Sequence, residues 1–313
     1  MTQPRDVIGV DGGQPSPRQL FGEGGLARAR VACDEERCHG SVSTIEPTLD
    51  RRRVQRRGRS KRVRVALSAY DAIAEWYDAW LGSASLADDA VFGVAATLMG
   101  DVEGVRVCDL ACGQGRVARH LADRGALITG IDSSARLLEI ARGYEARQPQ
   151  RIDYRHDDAR VLDSCAESEF DGVVCFMSLM DIADLQPTVR SVQRVLRPGG
   201  WFVFAVLHPC FNTSRSDELN IADGLVRTIG VYFVEGHWQS EKRTGPPGKV
   251  GAYHRALSTY FNTLLAQGLE LEAVAEPVAG GRQAELRPIW TEVPAALVVR
   301  CTKSRRPPAT SIG

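Results

Sequence analysis

VCDLACGQGRVARHLA, residues 107–122, reads as a strand, a turn and a helix in that order. The apolar run Val105–Leu110 is short and bounded, as in a strand buried on both faces. It carries an acid, Asp109, near its end. Gly113 and Gly115 follow, residues that let the backbone take left-handed conformations other side chains resist. Val117 to Ala122 then show helical spacing.

Working outward, the unit repeats. Ala126–Ile131 reads as a strand, Ala135–Arg142 as a helix, Ile152–Arg155 and Phe170–Cys175 as strands, and Pro187–Leu196 as a helix. Arg197-Pro198-Gly199-Gly200 reads as a turn before a strand over Trp201–Leu207. Upstream, Ile73, Ala74, Trp76, Tyr77, Trp80 and Leu81 recur at helical spacing, and a second amphipathic stretch covers Leu86–Met99. Such alternation predicts an α/β fold, a mostly parallel sheet with helices on both faces, and places ligands at the carboxyl ends of its strands. His208–Gly251 is too long for a plain connection in a compact domain. It contains Phe211, Tyr232, Phe233, His237 and Trp238, with a strand-like Thr228–Val234, and we read it as a lid inserted before a helix at about Tyr253–Gln267.

Gly113-x-Gly115-x-x-Ala118 fits a dinucleotide fingerprint, with Asp132 placed to hold ribose hydroxyls, so NAD-dependent dehydrogenation is one reading. Asp109 argues against it. A carboxylate beside the glycines repels a pyrophosphate and suits the ammonium and sulfonium charges of S-adenosylmethionine.

At these residues the chain resembles the class I S-adenosylmethionine-dependent methyltransferases, in the small-molecule group similar to the ubiquinone/menaquinone-biosynthesis type, over about Tyr70–Lys303. Asp109-x-Ala111-x-Gly113-x-Gly115 resembles the family's first motif, with Ala111 where many members have glycine. The resemblance implies a Rossmann-like seven-stranded sheet whose last two strands are Glu270–Ala275 and Ala296–Thr302, the last antiparallel. It implies S-adenosylmethionine as cofactor, held by Tyr77, Asp109, Ala111, Cys112, Gly113, Gly115, Asp132, Ser133, Asp158, Ala159, Phe176 and Met177. Asp158-Ala159 would meet adenine, and Asp157 beside them leaves that register open by one residue. Met180 falls in the same region, and Leu196–Gly200 matches the turn before the family's fifth strand. In this light the His208–Gly251 lid would cover a planar or hydrophobic small-molecule acceptor.

An acceptor that carries a proton needs a base, and imidazole titrates near neutrality. His208, in His208-Pro209-Cys210-Phe211 at the end of the fifth strand, and His254, at the start of the helix after the insertion, are the catalytic candidates; His237 is a third. Pro209-Cys210 also occurs in a similar dipeptide of pyrimidine methyltransferases, but a buried inert thiol is the plainer reading. The Asn/Asp-Pro-Pro-aromatic motif of base-amino methyltransferases is absent, since the fourth strand continues as Phe176-Met177-Ser178-Leu179.

The 313 residues carry 39 basic and 39 acidic side chains, and the zero balance conceals two segments. Residues 1–64 hold 14 basic and 8 acidic side chains, leaving 25 and 31 in the rest. RRRVQRRGRSKRVR, residues 51–64, has nine basic side chains and no acid, a run able to bind phosphate backbones. We therefore expect a disordered basic leader over 1–64, a mildly acidic methyltransferase domain over 65–303 and a flexible tail over 304–313. RNA methylation anchored by the leader is the alternative function; a donor-binding protein without turnover is the non-enzymatic one. Nucleic acid is otherwise disfavoured as a partner, and a homodimer is compatible with the sequence. The longest apolar run, Trp201–Leu207, is far short of the roughly 20 residues that span a bilayer, so no membrane partner is expected and a cytoplasmic protein is. Eight cysteines make no disulfide framework, and Cys33, Cys38 and His39 lack the second ligand pair of a zinc site, so no metal is expected.

Overall fold

A computed structural model of the chain describes residues 68–82, 86, 89–221, 224–242 and 245–305. The basic leader, the Cys33/Cys38/His39 group and residues 306–313 of the tail lie outside these.

The helices are α1 (Ala74–Leu81), α2 (Ala90–Met99), α3 (Arg116–Asp123), α4 (Ala135–Arg147), α5 (Leu185–Val195), α6 (Pro246–Lys249), α7 (Leu257–Ala266) and α8 (Gly281–Leu286). The strands are β1 (Arg106–Leu110), β2 (Leu127–Asp132), β3 (Asp153–His156), β4 (Phe170–Phe176), β5 (Leu196–Leu207), β6 (Asp217–Ile221), β7 (Gly224–Thr228), β8 (Gly236–Trp238), β9 (Ala252–His254), β10 (Leu269–Ala275) and β11 (Ala296–Lys303). One seven-stranded sheet has the order β3-β2-β1-β4-β5-β11-β10. Strands β1 to β5 are parallel, and β11 runs antiparallel between β5 and β10. The expected α/β Rossmann-like sheet is therefore present, with its order reversing between β1 and β4.

Period-two alternation divides the core. Phe202, Phe204 and Val206 of β5 join Cys108, Leu110 and Cys175 on the face covered by α5 and α7. Trp201, Val203 and Ala205 join Val107, Ile128 and Val174 on the opposite face, under α2, α3 and α4. Each fully buried phenylalanine contributes about 1.5–3 kcal/mol. Helix starts are locally encoded: Asp89 accepts from the Val91 and Phe92 amides, and Ser134 Oγ accepts from the Leu137 amide.

Four local expectations are corrected. Arg197–Gly200 lies within β5 as an irregularity opposite Asp171, because Leu196 pairs with Phe170 and Trp201 with Gly172. Trp201 crosses the chain at Gly172, where a Cβ would collide with the indole. The third strand begins at Asp153, after Arg151 takes a positive φ of 63°. Thr228–Val234 is no strand: the pairing lies in a β6–β7 hairpin, and Val231 has φ 52°, incompatible with an extended run. His254 closes β9, which pairs with β8, and the helix starts at Leu257.

Candidate functional site

The carboxyl ends of β1, β2 and β4 meet at the point where the strand order reverses, where ligands of open α/β sheets bind. The turn after β1 has three left-handed residues, Ala111 (φ 56°), Gly113 (φ 55°) and Gly115 (φ 80°). Asp132, at the end of β2, holds it: Oδ2 accepts from the Gly113 amide at 2.8 Å and Oδ1 from the Ser134 amide at 2.7 Å. Each carboxylate oxygen retains a second acceptor direction. Gly115 serves packing, since a Cβ there would overlap the Tyr154 ring. The Cys112 thiol is pushed well above its usual range by burial and by Asp109, which makes it inert.

Asp109 is buried, and its Oδ2 has no hydrogen-bond partner among the described residues. Burial pushes its carboxyl up to about 8, Asp132 adding to the rise. Asp132 itself is raised by burial, against the pull of its two amide donors. Asp181, in the short 3₁₀ turn Leu179–Asp181 after β4, is pushed up to about 7 by burial, with Asp132 again contributing. Asp109 and Asp132, at the ends of neighbouring strands, thus favour a cation and oppose a polyphosphate, while Asp181 stands apart in the turn after β4.

Tyr77 is brought over the glycine turn: a Cβ on Gly113 would stand 3.7 Å from its Cε1. Burial, Asp181 and Asp132 raise its hydroxyl, so it stays protonated. The segment carrying it is tied to α4, where Asp71 accepts from Ser134 Oγ at 2.7 Å and Asp78 from the Tyr144 hydroxyl at 3.1 Å. Of the adenine candidates, Asp157 spends both oxygens on the Asp158 and Ser164 amides, whereas Asp158 faces Arg160, which lowers its carboxyl. Ala159 is buried beside it. Ser133 offers its carbonyl to His156 Nε2, while its neighbour Ser134 does the helix capping. Met177 has φ 53° and donates its amide to the Ala205 carbonyl; Phe176 packs edge-on against Phe92. Ser178 Oγ links the two loops through the carbonyls of Ala111 and Phe176.

The histidines divide. His208 is buried; its Nδ1 accepts from the Cys210 amide, so its Nε2 carries the proton and donates to Glu276 at 2.7 Å. That tautomer has no lone pair left for a proton. Burial lowers its pKa further, though Glu276 opposes this. His254 donates from Nε2 to the Tyr232 carbonyl at 2.7 Å, leaving Nδ1 as its accepting nitrogen, and it lines a narrow cleft with Met180, Trp238 and Tyr253. His237 donates to the Val250 carbonyl. A neighbouring cavity of about 80 Å³ is lined by Tyr70, Asp181, His237 and Tyr253.

Sequence reading passed over Tyr70, Asp71, Ser134, Ser178 and Asp181. A signal for the first two was present: Tyr70-Asp71 and Tyr77-Asp78 repeat at an interval of seven, two helical turns.

Residues 108–204 match the family model described as a methyltransferase domain. Among curated proteins, the ubiquinone biosynthesis O-methyltransferase of Alkalilimnicola ehrlichii is 34% identical over 113 residues, 36% of this chain and 46% of that protein. The protein of the same name from Aromatoleum aromaticum is 35% identical over 108 residues, 34% of this chain and 46% of its own length. The chain thus spans about half the length of the curated relatives it matches. Among solved structures, the S-adenosylmethionine dependent methyltransferase from Mesorhizobium loti superposes with a TM-score of 0.59 at 29% identity, covering 68% of this chain and 97% of that one. The strand order, the glycine turn and these matches agree: residues 108–204 form a methyltransferase domain, and over about two thirds of its length the chain is similar to an S-adenosylmethionine dependent methyltransferase.

Proposed function

We propose that the protein transfers a methyl group from S-adenosylmethionine to an oxygen of a small hydroxylated acceptor. The observation that carries this reading is the carboxyl cluster at the switch point, and above all the buried, unpartnered Asp109 Oδ2 beside the glycine turn. Such an atom is costly to leave unsatisfied, and a positive ligand compensates it. A pyrophosphate would face Asp109 and Asp132 together, which disfavours the NAD reading. When bound, the sulfonium supplies a methyl group already activated for displacement. The chain's own part is to hold and orient. Asp132 is placed for ribose hydroxyls, Asp158 and Ala159 for the adenine edge, and Tyr77 covers the turn.

Oxygen as the receiving atom draws support from the curated relatives, which are named as O-methyltransferases. The acceptor would lie under the stretch 208–251, where a cleft lined by Trp238 and His254 and a cavity lined by His237 and Asp181 share Tyr253. His254 is oriented through Nε2 in the first of these; His208 as held is a structural residue. Among the described residues no helix is long and apolar enough to cross a membrane, and no three metal-ligating side chains cluster. We place the work of the enzyme in the cytoplasm, with a small molecule and not nucleic acid as its partner. Calorimetry with S-adenosylmethionine, S-adenosylhomocysteine and NAD tests the assignment: micromolar binding of the first two is expected, and a folded sample that binds neither overturns it.

A further inference from the structure

The cavity of about 80 Å³ lined by Tyr70 and Tyr253 has a carboxyl in its wall, Asp181, that the donor-binding reading does not use. A continuous run of contacts joins it to the glycine turn. Tyr77 lies on Gly113, Tyr70 meets Tyr77 edge-on with ring centroids 5.2 Å apart, and the Tyr70 hydroxyl donates to Asp181 Oδ2 at 2.9 Å. The turn that carries Asp181 is clamped from the other side. Arg255 is buried and donates to the Leu179 carbonyl at 3.3 Å and the Ala183 carbonyl at 2.8 Å. Two residues before it, Tyr253 lines the cavity.

Tyr70, His237 and Tyr253 give this small space planar walls suited to at most one aromatic ring. His237 donates from Nε2 to the Val250 carbonyl, which leaves Nδ1 as its accepting nitrogen. Asp181 has only one oxygen bonded to Tyr70. The groups acting on it are Tyr70 and Asp132, with Tyr77, His237 and the Arg255 guanidinium around it. Burial and Asp132 set it at about 7, where a carboxylate is both present and basic at neutral pH.

Resting on the methyl-transfer reading above, we infer that Asp181 is the catalytic base for a phenolic hydroxyl of a single-ring aromatic acceptor seated in this cavity, with Tyr70 as its positioning residue. The phenol's proton passes to the Asp181 carboxylate. The oxygen's electron pair bonds to the methyl carbon as the carbon–sulfur pair returns to sulfur, giving a methyl ether and a neutral thioether. Protonated Asp181 then releases its proton to solvent.

Catechol and 3,4-dihydroxybenzoate are suitable probes, with methylation followed by radiolabelled donor and donor binding by calorimetry with S-adenosylhomocysteine. Asp181→Asn is expected to cut kcat/KM by about 100-fold or more, with donor affinity within about twofold of the parent. The parent's rate should rise with pH and level off near 7, and this limb should vanish in the variant. Tyr70→Phe removes a hydrogen bond that lowers the Asp181 carboxyl, so it should move the limb to higher pH. Failure to bind the donor would defeat the methyl-transfer reading itself. Donor binding without methylation of either probe overturns this inference alone, as does an Asp181→Asn variant with unchanged rate and pH profile.

Discussion

Gly113 donates its backbone N–H to Asp132 Oδ2 at 2.8 Å, so the turn after the first strand and the acid after the second form one unit. Ligand contact and loop shape are therefore coupled at Asp132. Asp132→Ala should weaken donor binding by about 1–3 kcal/mol, and should also lower the melting temperature, because two buried amides lose a charged acceptor. Calorimetry and thermal melts read the two losses separately. An affinity unchanged within error would remove Asp132 from the donor site.

Asp109 makes donor affinity depend on pH. With its carboxyl at about 8 in the free protein, it is mostly protonated at pH 7. A cation bound beside it lowers that value, so binding releases a proton. Affinity for S-adenosylmethionine should rise with pH, by up to about tenfold per unit, and flatten above about 8. Titrations at pH 7 in two buffers of different ionisation enthalpy measure the released proton directly.

The same group bears on stability. A carboxyl raised on folding contributes fully at low pH, below its unfolded value, and loses that contribution as pH climbs towards about 8. Asp109→Asn, which cannot ionise, should melt higher than the parent at pH 8 and show little advantage at pH 4. It should also lose the pH dependence of donor binding.

Ala111 occupies a left-handed conformation that disfavours any Cβ. Ala111→Gly relieves this, partly offset by the greater freedom of glycine in the unfolded chain, for a net gain of up to about 1 kcal/mol. Gly115→Ala acts oppositely. It adds a Cβ at φ 80° against the Tyr154 ring and should destabilise by about 1–3 kcal/mol. Urea unfolding of both variants checks the pair.

The sheet was legible because its strands are buried on both faces, so Val105–Leu110 and Trp201–Leu207 stand out as short apolar runs against helical spacing. The β11 direction was not legible locally; resemblance supplied it, since a strand's pattern is the same read either way. The strand expected at Thr228–Val234 failed because strands of the insertion are short and mostly exposed, so apolarity ceases to report pairing: β6 and β7 bury none of their residues. Asp109 and Asp132 could be found from their places at strand tips. Asp181 could not, because the bond that holds it comes from Tyr70, 111 residues away in the chain. Nor could the surroundings of His208: Glu276, which occupies its Nε2, follows β10, 68 residues on, and no local pattern announces it.

The strap of residues 69–81 has a consequence of its own. Among its residues only Ala74 is buried, and its attachments to α4 are polar bonds through Asp71, Glu75 and Asp78, with Tyr70 bonded to Asp181. Little apolar burial opposes its detachment, while β1 and β5 are locked in the sheet. Tyr70 and Tyr77 therefore hang on a hinged door whose opening leaves the sheet intact. Its amides should exchange with solvent much faster than those of β1, and slow when S-adenosylhomocysteine is bound, which would make departure of the spent donor a matter of unlatching a few polar bonds.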